Sequence, residues 1–109
     1  MDGFIPDKQW ATNGKLTGWV PTGVASIKNA INDGCGFVDF SGHGNTNIWA
    51  THAHANHGSW LPTPAGGIRT NDLSTLSNGD KLTIVNVEAF STAKYASDSN
   101  CFNWALIHQ

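Results

Sequence analysis

The fold is decided by residues 35–44, which read CGFVDFSGHG. Residues 35–40 form a short apolar run, which is typical of a mostly buried β-strand. His43 follows the strand and stands between Gly42 and Gly44. Because ligands of open α/β sheets bind beside the carboxyl ends of the strands, the tip of this strand is the first candidate site.

Regular elements are predicted on both sides of this strand. An apolar face with helical spacing predicts a helix over about residues 22–33. A β-branched centre predicts a second strand over about residues 81–87, and an apolar segment predicts a helix over about residues 100–108. This order favours an α/β layer in which the strands at about 35–40 and 81–87 are parallel neighbours.

The other segments show no sustained period. Residues 1–20 are predicted to be an irregular arm, and residues 21–109 the folded domain. Residues 41–68 are rich in Gly, Asn, His and Pro and predict a loop much longer than ordinary connections. Such loops are usually functional or disordered, and the tryptophans in this one favour order. One helical turn is predicted over residues 70–76.

The composition restricts the class of function. The chain has 109 residues, a net charge of −2 and 13% charged residues, against about 25% in an average domain. This balance argues against a nucleic-acid binder or an anionic-membrane binder, since both need a basic face. No run of about 20 apolar residues exists, so we expect no membrane span. The N-terminus lacks a signal-peptide pattern, but the scarcity of charge favours a protein outside the cell or at the cell surface.

The side chain of His43 suits a general base, because imidazole exchanges protons near neutral pH. Its flanking glycines allow a sharp turn and leave the amide of Gly44 free to donate to a developing oxyanion. Residues 88–91 follow the second strand and should lie beside His43. Within these tips, Asp39 either orients the imidazole or makes a structural bond, and Glu88 either lines a pocket or faces solvent.

Histidines are also concentrated in the long loop. His52, His54 and His57 are weak candidates for a metal site, because imidazole is a common ligand but no carboxylate or cysteine accompanies them. The alternative is a polar loop whose imidazoles pack on tryptophan. A second function therefore stays open, a non-catalytic binding module for carbohydrate or metal built on residues 45–60. The tryptophans either form a sugar platform or pin the core and the loops.

Four short segments share their order and spacing with a known family. They are FVDFSGHGN (37–45) with Trp49 after it, the residues from 71 to 78 with the strand to Val87, AFSTA (89–93) and CFNWAL (101–106). Together they resemble the gingipain-type cysteine peptidases of the caspase-like clan, and the resemblance covers about residues 22–109. In that family AFSTA is usually Ala-Cys-x-x-Gly, and CFNWAL is Cys-Phe-x-Glu-Ala-Leu.

The residue at the family's nucleophile position is Phe90. Phenylalanine has no lone pair to attack a carbonyl, so covalent catalysis of this type cannot run. Cys35 lies at the opposite end of its strand from His43, and Cys101 resembles a structural cysteine of the family. Neither replaces the nucleophile, and the same geometry argues against a disulfide between them. Trp104 stands where the family has Glu, and this second loss favours natural inactivation over an introduced mutation, which would normally be Ala or Ser.

The resemblance implies a fragment of a caspase-like three-layer sandwich and a cysteine peptidase site without a cofactor. His43 would be the catalytic base and acid, and the amides of Gly44 and Phe90 the oxyanion donors. Glu88 and Trp49 are candidates for peptide binding, with a peptide or protein as the partner. The family's catalytic domain is longer than this chain, so we expect part of a larger secreted protein, with self-association through exposed edges.

Overall fold

The computed structural model describes residues 3, 5–10, 13–16, 22–53, 55–61, 66–96 and 100–108. Its helices and strands follow one another along the chain in this order: α1 (Thr22–Asp33), β1 (Phe37–Ser41), β2 (His43–Asn45), β3 (Ile48–Ala50), β4 (His52–Ala53), β5 (Asn56–Trp60), β6 (Gly67–Arg69), α2 (Thr70–Leu73), β7 (Ile84–Glu88) and α3 (Phe102–Ile107). No helix among these residues is long and apolar enough to span a bilayer.

Helix α1 forms where the apolar spacing predicts it. Val24, Ile27 and Ile31 are buried on one face, as a period of 3.6 residues requires. Gly34 ends the helix with a φ of +97°, a left-handed conformation that glycine adopts without a Cβ penalty. Its N–H donates to the carbonyl of Ile31 at 3.0 Å.

Strands β1 and β7 form a two-stranded parallel sheet, which confirms the predicted α/β class. The register pairs Phe37 with Ile84 and Ser41 with Glu88. Alternate side chains of both strands are exposed on one face, and the others face the core. Strand β7 begins three residues later than predicted, because Lys81 and Leu82 bond within a turn to the carbonyls of residues 78 and 80.

The predicted loop over residues 41–68 was wrong, since this segment contains strands β2 to β6. A three-stranded antiparallel sheet has the order β2-β3-β6, and β4 pairs with β5 in a separate hairpin. Each strand has only two to five residues. Such short strands carry no detectable period of two, so the pattern along the sequence resembles an irregular loop.

The core joins the β1–β7 sheet and the β2-β3-β6 sheet to α3. The Phe40 ring on β1 packs against Trp49 on β3 at 5.3 Å and against Phe102 on α3 at 5.7 Å, centroid to centroid. The N–H of Phe102 donates to the carbonyl of Thr46 in the β2–β3 turn at 2.6 Å. Helix α3 lies within the range predicted for it. The bond to Thr46 ties its first turn to the β2–β3 turn.

Candidate functional site

The tips of β1 and β7 lie side by side, as the parallel order predicts. The N–H of Gly42 donates to the carbonyl of Glu88 at 3.3 Å and continues the pairing past the end of β1. Gly44 then packs against the turn of residues 89–93. A Cβ at this position would lie 2.5 Å from Cγ2 of Thr92 and 2.8 Å from the carbonyl oxygen of Phe90. Only glycine permits this approach.

The turn after β7 is held from within and from α3. The hydroxyl of Thr92, which is buried, donates to the carbonyl of Ala89 at 3.1 Å. The carbonyl of Thr92 accepts the N–H of Asn103 at 3.0 Å. Ser91 has a φ of +61°, a left-handed conformation that is rare for a non-glycine residue and that accumulates at functional sites.

Phe90 stands at the outer end of this turn, and 78% of its surface is exposed. Its neighbour Ser91 lines a small pocket of about 440 Å³ together with Lys94 and Asn103. The Oδ1 atom of Asn103 is buried without a hydrogen-bond partner among the described residues. The turn therefore carries an exposed apolar ring and, on the side of α3, a pocket lined by both polar and apolar side chains.

His43 begins β2, and its side chain lies on the face opposite the contact made by Gly44, because successive residues of a strand alternate. The imidazole is exposed to solvent and stacks on the indole of Trp60, with the ring centroids 4.0 Å apart and the planes 17° from parallel. His52 stacks on the same indole at 3.7 Å and 29°. No sequence motif pairs residue 43 with residue 60. A tryptophan in a histidine-rich loop was the only signal of this contact.

Asp39 makes the structural bonds that were one of its two predicted roles. Its carboxylate accepts the side-chain amide of Asn86 at 2.8 Å and the hydroxyl of Ser41 at 2.8 Å. Glu88 accepts the same amide at 3.4 Å and is exposed. These side chains form a polar network on the exposed sheet face, next to the strand tips.

Trp49 is buried, with 5% of its surface exposed. A Cβ at Gly42 would lie 2.9 Å from its Nε1, so the indole supports the strand tip from the core. That nitrogen has no hydrogen-bond partner among the described residues. The peptide-binding roles of Trp49 and Glu88 stay predictions.

The cysteines lie where the sequence placed them. Cys35 precedes β1 at the end of the sheet opposite His43, and its sulfur lies 3.6 Å from the hydroxyl of Thr83. Cys101 is fully buried at the start of α3. Both are free thiols. Trp104 is partly exposed and stacks on His108 at 3.5 Å.

The metal hypothesis concerns His52, His54 and His57. His54 and the side chain of His57 lie outside the described part of the structure, and His52 is one of the two imidazoles on Trp60. Among the side chains that the structure describes, no group of three or more His, Cys, Asp or Glu residues could hold a metal ion.

The chain was then compared with known proteins. Searches of curated proteins and of solved structures found no match to the chain. The family model described as Peptidase family C25 matches residues 3–109, which is almost the whole chain and includes both tips. The chain therefore belongs to peptidase family C25, the gingipain-type cysteine peptidases.

Proposed function

We propose that this member of family C25 binds peptides at the β1 and β7 tips without cleaving them. His43 occupies the position of the base, and the amides of Gly44 and Phe90 those of the oxyanion donors. The nucleophile position is filled by a benzyl group. The low content of charged residues further supports a protein that acts outside the cell or at the cell surface.

The observation that carries this proposal is the side chain at residue 90. Phe90 lies in the turn that contacts Gly44, and it is largely exposed where a substrate would approach. A benzyl group has no atom that can form an acyl-enzyme bond with a carbonyl carbon. The tip therefore keeps the glycine contact and the imidazole of the family but lacks the group that reacts.

Loss of the nucleophile removes most of the rate enhancement. Deleting one member of a nucleophile–base unit lowers kcat by roughly 10⁶-fold. Oxyanion donors and substrate binding alone retain about 10³–10⁴-fold over water. We therefore expect turnover indistinguishable from background in an ordinary peptidase assay, while binding energy from the strand tips remains.

The test compares the unmodified chain with Phe90→Cys and with Phe90→Cys/His43→Ala. Each is incubated with casein, with short peptides and with a peptide that carries a thiol-reactive group. We expect no cleavage by the unmodified chain, and labelling at residue 90 by the reactive peptide in Phe90→Cys. The second substitution should slow this labelling, because the imidazole no longer takes the thiol proton.

Ser91 provides the control for an alternative nucleophile, since its hydroxyl is adjacent to Phe90. If the unmodified chain cleaves a substrate and Ser91→Ala does not, the proposal is contradicted. The nucleophile would then be assigned to Ser91. Cleavage that persists in both His43→Ala and Ser91→Ala would indicate a contaminating peptidase. Failure of Phe90→Cys to label with the reactive peptide would contradict a retained peptide cleft.

A further inference from the structure

The proposed base has an aromatic partner that family membership did not predict. Trp60 covers one face of the His43 imidazole with its own ring, nearly parallel at 4.0 Å. The indole is 42% exposed, so it is not simply part of the core. Core packing therefore does not account for the position of Trp60, and its contact with His43 is the feature to explain.

The chain holds Trp60 firmly in this place. In the β4–β5 hairpin, Trp60 is the direct cross-strand partner of His52. The N–H of Leu61 donates to the carbonyl of Thr51 at 2.8 Å, and the N–H of Thr51 donates to the carbonyl of Gly66 at 3.0 Å. These bonds connect the hairpin to the sheet that carries His43, so the indole and the imidazole are set by one framework.

Stacking constrains the imidazole without blocking its chemistry. The χ2 torsion of histidine has broad minima, so an exposed ring is poorly oriented on its own. A flat contact restricts rotation about χ2 and leaves both ring nitrogens at the uncovered edge.

We propose that Trp60 is a positioning residue for His43. His52, on the neighbouring strand β4, stacks on the indole of Trp60 and helps to hold it in place. This role rests on the proposed function, in which His43 occupies the position of the base and residue 90 that of the nucleophile, and it is therefore read from a thiol placed at residue 90. Trp60 itself touches no reacting atom. It fixes the direction in which the imidazole presents its nitrogens.

The first test uses the unmodified chain and needs no catalysis. Nuclear Overhauser contacts should join the ring protons of His43 and Trp60, and the His43 ring protons should be shifted upfield by the indole. Trp60→Leu should remove this shift, and Trp60→Phe should retain part of it. Trp104→Leu is the matched control, because Trp104 has a similar exposure of 39% and also stacks on a histidine. It should leave the His43 resonances unchanged.

The second test uses Phe90→Cys and measures how fast iodoacetamide alkylates the thiol at residue 90, as a function of pH. Alkylation of Cys35 and Cys101, which are also free thiols, is counted separately. Adding Trp60→Leu should lower the rate near neutral pH roughly two- to tenfold, the range expected for the loss of one aromatic pair. Adding Trp60→Phe should restore most of the rate. Adding Trp104→Leu should change neither the rate nor the pH profile.

The outcomes separate the two proposals. Alkylation that is insensitive to His43→Ala contradicts the proposed function. Alkylation that depends on His43 but is unchanged by Trp60→Leu contradicts only the role of Trp60. Absence of the ring contact in the unmodified chain also overturns that role, and this measurement stands even if Trp60→Leu does not fold.

Discussion

Gly44 is the residue at which the two strand tips touch. The gap between β2 and the 89–93 turn is closed by backbone and small side chains, so no flexible group can move aside for a larger residue. Sequence reasoning assigned this glycine a free amide. The structure adds a packing reason for the same residue, because Gly44 is where the two tips come into contact.

Gly44→Ala should therefore destabilise the chain by about 1–3 kcal/mol, the usual cost of overpacking. The added Cβ would lie 2.8 Å from both the carbonyl oxygen of Phe90 and the Cβ of Ala89. Urea denaturation measures the change in the free energy of unfolding. Gly3→Ala is the control, because nothing lies within 4 Å of that position. Equal stability of the two variants would mean that the tips do not touch.

A second residue-scale effect lies near the N-terminus. The ammonium of Lys15 donates to the Asp7 carboxylate at 2.6 Å, and this hydrogen bond lowers the pKa of Asp7 below its usual value. A lowered folded-state pKa gives stability that is present above the unfolded pKa and is lost as the pH falls through the folded pKa. Because both side chains are about half exposed, the effect is below about 1 kcal/mol.

Lys15→Met should raise the Asp7 titration midpoint toward the model-compound value of 3.8. Carboxyl carbon shifts followed by NMR between pH 2 and pH 6, on the order of two units to each side of that midpoint, provide the measurement. Lys8→Met should leave the midpoint in place, because Lys8 lies over the Trp10 ring at 4.7 Å. An unchanged Asp7 titration in Lys15→Met would contradict the ion pair.

At the scale of elements, the segment between the two parallel strands is a folded unit. Ile68 on β6 is fully buried, whereas Ile84 on β7 is 70% exposed. Ile68→Ala should cost about 2–5 kcal/mol, as expected for a buried isoleucine. Ile84→Ala should stay within about 0.5 kcal/mol. Urea denaturation measures the free energy of unfolding of both variants. A small effect of Ile68→Ala would favour the irregular loop predicted for residues 41–68.

The sequence predicted those elements whose pattern lies within one continuous segment of the chain. Helix α1 and the parallel strands are marked by periodicity and by β-branched residues, and their order alone places the tip of β1 beside the tip of β7. The strands from β2 to β6 are too short to show a period. Their pairing, and with it the contact of His43 with Trp60, depends on register between residues that are distant in sequence. Such contacts can be identified only once the strand pairing is known.

At the scale of the whole molecule, the exposed face of the β1–β7 sheet has two halves. The half near the strand tips carries the polar network of Asp39, Asn86 and Glu88. The other half is apolar, with Phe37 and Ile84 opposite each other and Leu82, which is 84% exposed, before β7. Contiguous exposed apolar surface of this kind favours contact with a protein partner.

A net charge of −2 gives little repulsion between copies, so we expect this apolar half to drive self-association. Sedimentation velocity over a range of concentrations should show association of the unmodified chain. Leu82→Lys/Ile84→Lys should shift it to monomer, because lysines there repel each other across the contact. Ile107→Lys is the control, since Ile107 on α3 has a similar exposure of 68% but lies outside this face. A chain that is monomeric at every concentration would contradict the prediction, and dissociation by Ile107→Lys alone would move the contact to α3.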